Sequence, residues 1–363
     1  MPILVVNAGS SSLRMRLVDG DDMVVDDLHL EEWNDDSTPA ADWVGRLDGV
    51  DGVGHRVVHG GTDLRIATVV DDEVESRIEA LTSLAPLHQP RALAGIRMVR
   101  DLLPTTPSVA CFDTSYHADL PAAAATYALP EEWRRRWGLR RFGFHGLSHA
   151  CAARRAATLL APRGASRVVS CHLGAGSSLC ASVDGRSVDT TMGFTPLEGL
   201  VMATRSGSVD PGLVLWLANA ERLGLAEVGD GLEHRSGLTG LTGTTGDMRQ
   251  VLVALADGDE RARLAFDVYI HRVVGEVARM AAAMDGIDAL VFTGGVGEHA
   301  SEVRRAVADR LGFLGVSIDP ARNTDADGDT DLTASGAPVA TAVVTAREDI
   351  EIARQTRQVL AAG

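Results

Sequence analysis

Lysine is absent from all 363 residues, so each of the 34 basic side chains is an arginine. That absence removes two kinds of chemistry. A P-loop needs the lysine of its GK[ST] motif at the nucleotide phosphates, and a Schiff-base enzyme needs a nucleophilic amine. The chain can build neither, and biased codon usage is the plain explanation. Cysteine is scarce as well. Cys111, Cys151, Cys171 and Cys180 form no CxxC pair and no metal-ligand spacing, which reads as reduced core residues of a cytosolic protein. No stretch reaches the roughly 18 consecutive apolar residues of a membrane span. The N-terminus enters the apolar run at 3–6 without a basic leader, so a soluble, cytoplasmic protein is expected.

What is present suits a globular protein. Hydrophobic residues make up 45% of the chain, enough to build cores, and the length suits two domains. The formal charge is −16, with the acids spread along the chain. Such a field repels nucleic acid and anionic membranes, and neither is expected as a partner. An anionic substrate would have to be drawn in by local arginines.

One grammar occurs twice. Residues 3–6 are continuously apolar and fit a buried strand. Turn residues follow at 7–12, then alternation at 13–17 marks a second strand. The same order returns at 168–172, 173–178 and 179–183, with Asp184-Gly185 turning into another strand over 186–191. Both turns share Ala-Gly-Ser-Ser. Glycine lets a backbone approach a ligand closely, and successive N–H groups and serine hydroxyls cradle phosphate oxygens. A single turn of this kind is usually structural. Two at domain-scale spacing point to duplicated domains holding a phosphate. Apolar residues at three-to-four spacing predict helices over 72–84, 93–103, 262–284 and 302–311, the last with Ser301 as N-cap. Residues 289–293 read as a strand leading into Gly294-Gly295-Val296-Gly297-Glu298-His299, and residues 323–331 as a solvated acidic loop. Alternating strands and helices indicate an α/β fold.

These segments resemble the acetate kinase family from end to end. The likeness is carried by VVNAGSSSLR (5–14), GHRVVHGG (54–61), LAPLHQP (84–90), FDTSYH (112–117), RRFGFHGLSH (140–149) and HLGAGSSL (172–179). It continues through DTTMGFTPLEGLVMATRSGSVDPG (189–212), GDMR (246–249), FTGGVGEH (292–299) and AREDIEIARQT (346–356). The resemblance implies two related lobes of the actin-like ATPase (ribonuclease H-like) type with a central cleft. The first, acetate-side lobe is expected at 1–117 plus 349–363, and the second, nucleotide-binding lobe at 118–348. The implied activity is reversible phosphoryl transfer from ATP to acetate, giving acetyl phosphate and ADP. Mg²⁺ is the implied cofactor, with Mn²⁺ able to substitute, and the implied assembly is a homodimer. The chain is somewhat shorter than family members usually are, and the compression falls between residues 19 and 53.

Acyl phosphate chemistry needs two oxygens in line with phosphorus and cations around the transferring charge. Arginine suits this because its planar fork grips carboxylate or phosphate with two bonds. By the resemblance, Arg56 holds the acetate carboxylate, Arg205 the phosphoryl group, and His145 stabilises that group during transfer. Without it, His145 and His149 would read as packed histidines or as an HxxxH metal pair lacking its acid. The resemblance assigns Asp113 to orienting Arg56 or the metal, and Asn7 and Glu348 to the metal. It makes Val58, Leu87, Phe144 and Pro196 the pocket for the acetate methyl, all of which would otherwise pass as core. Nucleotide contacts fall to Ser10, Ser12, Arg14, His172, Leu173, Gly174, Ala175 and Gly176. Asp247, Met248, Arg249, Gly295, Val296, Gly297, Glu298 and His299 complete that set, and His88 reads as structural.

Four positions depart from the family pattern. Arg14 replaces a lysine, Ala175 and His299 each replace an asparagine on the nucleotide side, and Gln89 stands where asparagine follows the histidine. Propionate or butyrate as acceptor, pyrophosphate as donor, and a catalytically silent nucleotide-binding regulator therefore remain alternatives. One methylene is worth only about 1–3 kcal/mol of discrimination, so sequence separates the acids poorly.

Overall fold

Each apolar run and its alternating successor forms an antiparallel hairpin, and each hairpin starts a sheet. The structure is a computed structural model describing residues 1–9, 12–34 and 36–362. Strands β1 (Ile3–Ala8), β2 (Leu13–Val18), β3 (Val24–Leu30), β4 (Gly52–Val57), β5 (Thr68–Val69) and β6 (Ser108–Phe112) form one sheet, ordered β3-β2-β1-β4-β6-β5. Strands β7 (Arg167–Leu173), β8 (Ser177–Val183), β9 (Arg186–Thr190), β10 (Ala289–Thr293), β11 (Thr330–Asp331) and β12 (Ala340–Val343) form the other, ordered β11-β12-β10-β7-β8-β9. Read from the far edge, the second order reproduces the first. In both, an antiparallel meander joins a parallel pair through its first strand, and a short antiparallel edge strand closes the far side. The duplication inferred from two turns thus extends to whole sheets.

Alternation along the central strands explains the layers, because successive side chains point to opposite faces. Leu4 and Val6 of β1 pack with Met98 and Val99 of the helix Gln89–Leu102. Ile3 and Val5 pack with Ile352 and Ala353 of the C-terminal helix Glu348–Ala362. That helix lies very close to β4: a Cβ at Gly54 would stand 2.6 Å from Ile352 Cγ2. In the second sheet, Val169 and Cys171 of β7 face the helix Glu260–Ala282, while Val168 shares a cluster with Ala152 and Ala156 of the helix Gly146–Leu159.

The chain divides into two units, 1–118 with 144–151 and 347–363, and 119–143 with 152–346. The expected division lacked the 144–151 segment, because a third crossing runs inside the helix Gly146–Leu159 and a change of unit within one helix leaves no mark in composition. Two local expectations change. Ser301 is not an N-cap but the first residue of the helix Ser301–Asp309; Ala300 holds the cap position, directly after the helix Gly294–His299, which the glycine-rich run after β10 forms. Residues 323–331 are only partly loop: Asn323 and Thr324 close the helix Pro320–Thr324, and Thr330 and Asp331 form β11. Among the described residues no helix is long and apolar enough to cross a membrane.

Candidate active site

In the first unit the sheet brings two distant residues side by side. Arg56 is near the end of β4, and Asp113 follows the neighbouring parallel strand β6, its N–H donating to Val57 O at 2.9 Å. Arg56 Nε donates to Asp113 Oδ1 at 3.2 Å and Nη2 to Oδ2 at 2.7 Å, a fork-to-carboxylate pair. Its third nitrogen, Nη1, stands 3.4 Å from Glu348 Oε2 at the start of the C-terminal helix. Burial by itself disfavours the guanidinium charge, but the fields of Asp113 and then Glu348, with the Asp113 hydrogen bond, outweigh it and raise the Arg56 pKa. Burial raises the Glu348 carboxyl, against the pull of Arg56.

His145 takes φ +56°, a left-handed conformation rare outside glycine, at the entry to the helix Gly146–Leu159. The next residue must be glycine. Gly146 N–H donates to Asp113 O at 2.8 Å, and a Cβ there would collide with that carbonyl and with Tyr116. The helix start is thereby tied to the Asp113 loop, with His145 beside it. Phe144 is buried and meets His59 edge-on at 5.4 Å, Val58 is half-buried, and Leu87 is 46% exposed. Gln89 is fully buried and donates through Nε2 to His59 O at 2.8 Å, a packing role.

In the second unit the Gly174–Gly176 turn joins β7 to β8. Ala175 O accepts from Ala203 N at 3.0 Å, tying the turn to the loop that carries Arg205. Arg205 differs from Arg56. It forms no ion pair among the described residues; Nη1 reaches only Pro196 O, at 3.5 Å, and Met202 Sδ, at 4.0 Å. Burial accordingly lowers its pKa, with Glu233 a weak opposing influence. Such a guanidinium is a cation awaiting an anion. The residues just before it, Ala203 and Thr204, line a cavity of about 600 Å³.

Of the expected nucleotide residues, Gly174, Ala175, Asp247, Met248, Arg249, Gly295, Val296 and His299 line that cavity. Asp247 caps the helix Met248–Ala256 and pairs with the exposed Arg249. His172 is the penultimate residue of β7, Leu173 ends it within the core cluster, and Gly176 completes the turn. Gly297 is buried, and Glu298 accepts from Ala346 N at 3.0 Å. Ser12, Arg14 and Asn7 belong to the β1–β2 hairpin of the first unit, Asn7 opposite Arg14, and Pro196 lies in the second unit. Ser10 lies outside the described residues. Leu238, Gly246 and Tyr269 also line the cavity and escaped the sequence reading. Gly246 opens the GDMR motif but carries no expected role of its own, whereas Leu238 and Tyr269 look like ordinary helix-face apolar positions.

The profile of the acetokinase family matches residues 38–354. The chain belongs to the acetokinase family. Among its relatives, an acetate kinase of Synechococcus sp. (strain JA-2-3B'a(2-13)) is 49% identical over 86% of this chain and 77% of its own. The crystal structure of Porphyromonas gingivalis acetate kinase matches at TM-score 0.90 and 33% identity over 99% of both chains. A propionate kinase from Francisella tularensis matches at 0.91 and 33%, again over 99% of both. Acetokinases are phosphotransferases, and both sheets have the actin-like, ribonuclease H-like order. Ala175 and His299, two of the positions expected to depart from the family pattern, both line this cavity.

Proposed function

We propose that the chain transfers the γ-phosphoryl group of ATP to the carboxylate of acetate, giving acetyl phosphate and ADP, and catalyses the reverse reaction. One observation carries the reading: Arg205, which has no ion-pair partner among the described residues, sits one residue beyond the wall of a cavity of nucleotide size. Phosphoryl transfer spreads charge over three equatorial oxygens, and an unpaired, half-buried guanidinium is suited to receive it.

Arg56 takes the acetate side. Its 2.7 Å bond to Asp113 fixes the plane of the fork, while the 3.4 Å contact to Glu348 is looser, so Nη1 is the nitrogen best able to donate to a substrate carboxylate. Val58, Leu87 and Phe144, all of the first unit, shield the methyl group. His145, held in its left-handed conformation, donates to the transferring oxygens. Oxygen donors suit Mg²⁺, a hard cation that keeps water and phosphate in most of its positions. Glu348 and Asn7 would supply the protein's share. Among the described residues no group of three or more His, Cys, Asp or Glu gathers as a dedicated protein cage would. When bound, the metal neutralises phosphate charge.

The propionate kinase among the structural relatives favours a second reading, in which propionate is the better acceptor. A hydroxamate assay with acetate, propionate and butyrate, each against ATP and pyrophosphate, tests both. Acetate with ATP should give the highest kcat/KM; absence of acyl phosphate with every pair would refute the assignment. We also propose a cytoplasmic homodimer. The helix Pro211–Asn219 has no buried residue and exposes Leu213, Leu215 and Trp216, an apolar face that a second copy would cover. The four free, buried cysteines suit a reducing compartment.

A further inference from the structure

Arg304 is the largest fully buried side chain of the protein, 1% exposed, and no carboxylate pairs with it among the described residues. Burying a guanidinium without a counter-ion is costly and lowers its pKa. The structure meets that cost with neutral oxygens alone. Nε donates to Asn323 Oδ1 at 2.7 Å, Nη2 to Asn323 O at 2.6 Å, and Nη1 to Gly297 O at 3.0 Å and Glu298 O at 2.6 Å. Asn323 in turn donates from Nδ2 to Ser301 O at 2.9 Å.

Two of these acceptors identify what the cation serves. Gly297 O and Glu298 O belong to the last turn of the helix Gly294–His299, where carbonyls lack helical partners and carry the negative end of the dipole. This helix could not stand alone. It is six residues long, includes three glycines, and has no side-chain cap at its start. Yet Gly295, Val296 and His299 all line the 600 Å³ cavity.

We infer that Arg304, clamped by Asn323, is a positioning residue for nucleotide affinity: it is the strut that holds the cavity-lining helix Gly294–His299 in its binding position. The inference rests on reading that cavity as the nucleotide site. Lysine at 304 keeps the charge but cannot span the four acceptors as a planar fork does. The helix then loses part of its anchor while the acetate-side residues of the other unit stay as they are.

The test measures ADP binding by calorimetry on the whole enzyme, together with KM for ATP, KM for acetate, kcat and melting temperature. Arg304→Lys should raise the Kd for ADP and the KM for ATP at least tenfold. KM for acetate and kcat at saturating ATP should stay within about threefold. Val307→Ala is the control, removing packing from a fully buried position on the same helix as Arg304 while leaving the strut. It should lower the melting temperature but leave the Kd for ADP unchanged. Asn323→Asp retains an acceptor for Nε and gives the cation a charged partner, so ADP affinity should stay within about threefold of the parent. Parental ADP affinity in Arg304→Lys, or equal loosening by Val307→Ala, would overturn the strut. A parent enzyme that binds no ADP would instead overturn the nucleotide reading of the cavity.

Discussion

Replacing Asp113 with asparagine isolates what the Arg56 pair contributes. The side-chain shape is kept, but the charge is lost and one of two acceptor oxygens becomes an N–H₂ donor. Of the two bonds Arg56 donates, at 2.7 and 3.2 Å, only one can survive, and to a neutral acceptor. Hydrogen bonds to charged groups contribute about 1.5–3 kcal/mol and neutral ones about 1; with the low end of that range for two bonds that share one fork, the pair should lose about 2–3 kcal/mol. If Arg56 must be aimed for transfer, that loss appears in the transition state. At 1.4 kcal/mol per factor of ten, it lowers kcat/KM for acetate by about 30–100-fold. The Asp113 side chain is only 2% exposed, so water cannot replace the lost contact. At about 2–4 °C per kcal/mol, the melting temperature should fall by about 5–10 °C. Hydroxamate assays over a range of acetate at saturating ATP give the first number, and thermal unfolding gives the second. ADP affinity should not change, because the cavity residues belong to the other unit. A variant with parental kcat/KM for acetate and parental melting temperature would refute the reasoning.

Arg205→Ala should cut kcat by at least about 10²-fold, yet leave the melting temperature unchanged or higher, because it removes a half-buried cation that has no ion-pair partner among the described residues; a large fall in melting temperature would mean that Arg205 is structural. Val58→Ala opens space that the extra CH₂ of propionate can fill, worth about 0.8 kcal/mol, so the propionate-to-acetate ratio of kcat/KM should rise several-fold; an unchanged ratio with lowered stability would mean that Val58 is only core. Burial lowers the pKa of His55 to about 3 and of His59 and His117 to about 4, the last against an opposing bond to Phe144 O. In the unfolded chain these histidines take up protons near pH 6.5. Their stabilisation is therefore complete above about pH 6.5 and is lost as pH falls toward 4. At pH 5.5 each costs about 1 kcal/mol, so melting temperature should drop by several degrees between pH 7.5 and 5.5, and a flat profile would contradict the assignment.

The sequence by itself determined the local and the repeated features. Period-two alternation and glycine-serine turns give the two hairpins, because strand and turn preferences act over a few residues. The same motifs, in one order, carried the family and picked out Arg56, Arg205 and His145 from many arginines and histidines. Ser301 shows the limit of local rules. It is a good capping residue, but the helix Gly294–His299 ends two residues before it, and Ala300, the one residue between, takes the cap position. Whatever depends on partners far along the chain was decided only by the tertiary structure. Arg56 meets Asp113 because β4 and β6 are parallel neighbours, and Glu348 because the C-terminal helix returns to cover β4. Nothing in either motif distinguishes that carboxylate-paired arginine from Arg205, which has no ion-pair partner among the described residues. Leu238, Tyr269 and Arg304 looked like ordinary helix positions. Their roles exist only where several elements converge on one cavity, since burial and hydrogen-bond partners are properties of packing and not of local sequence.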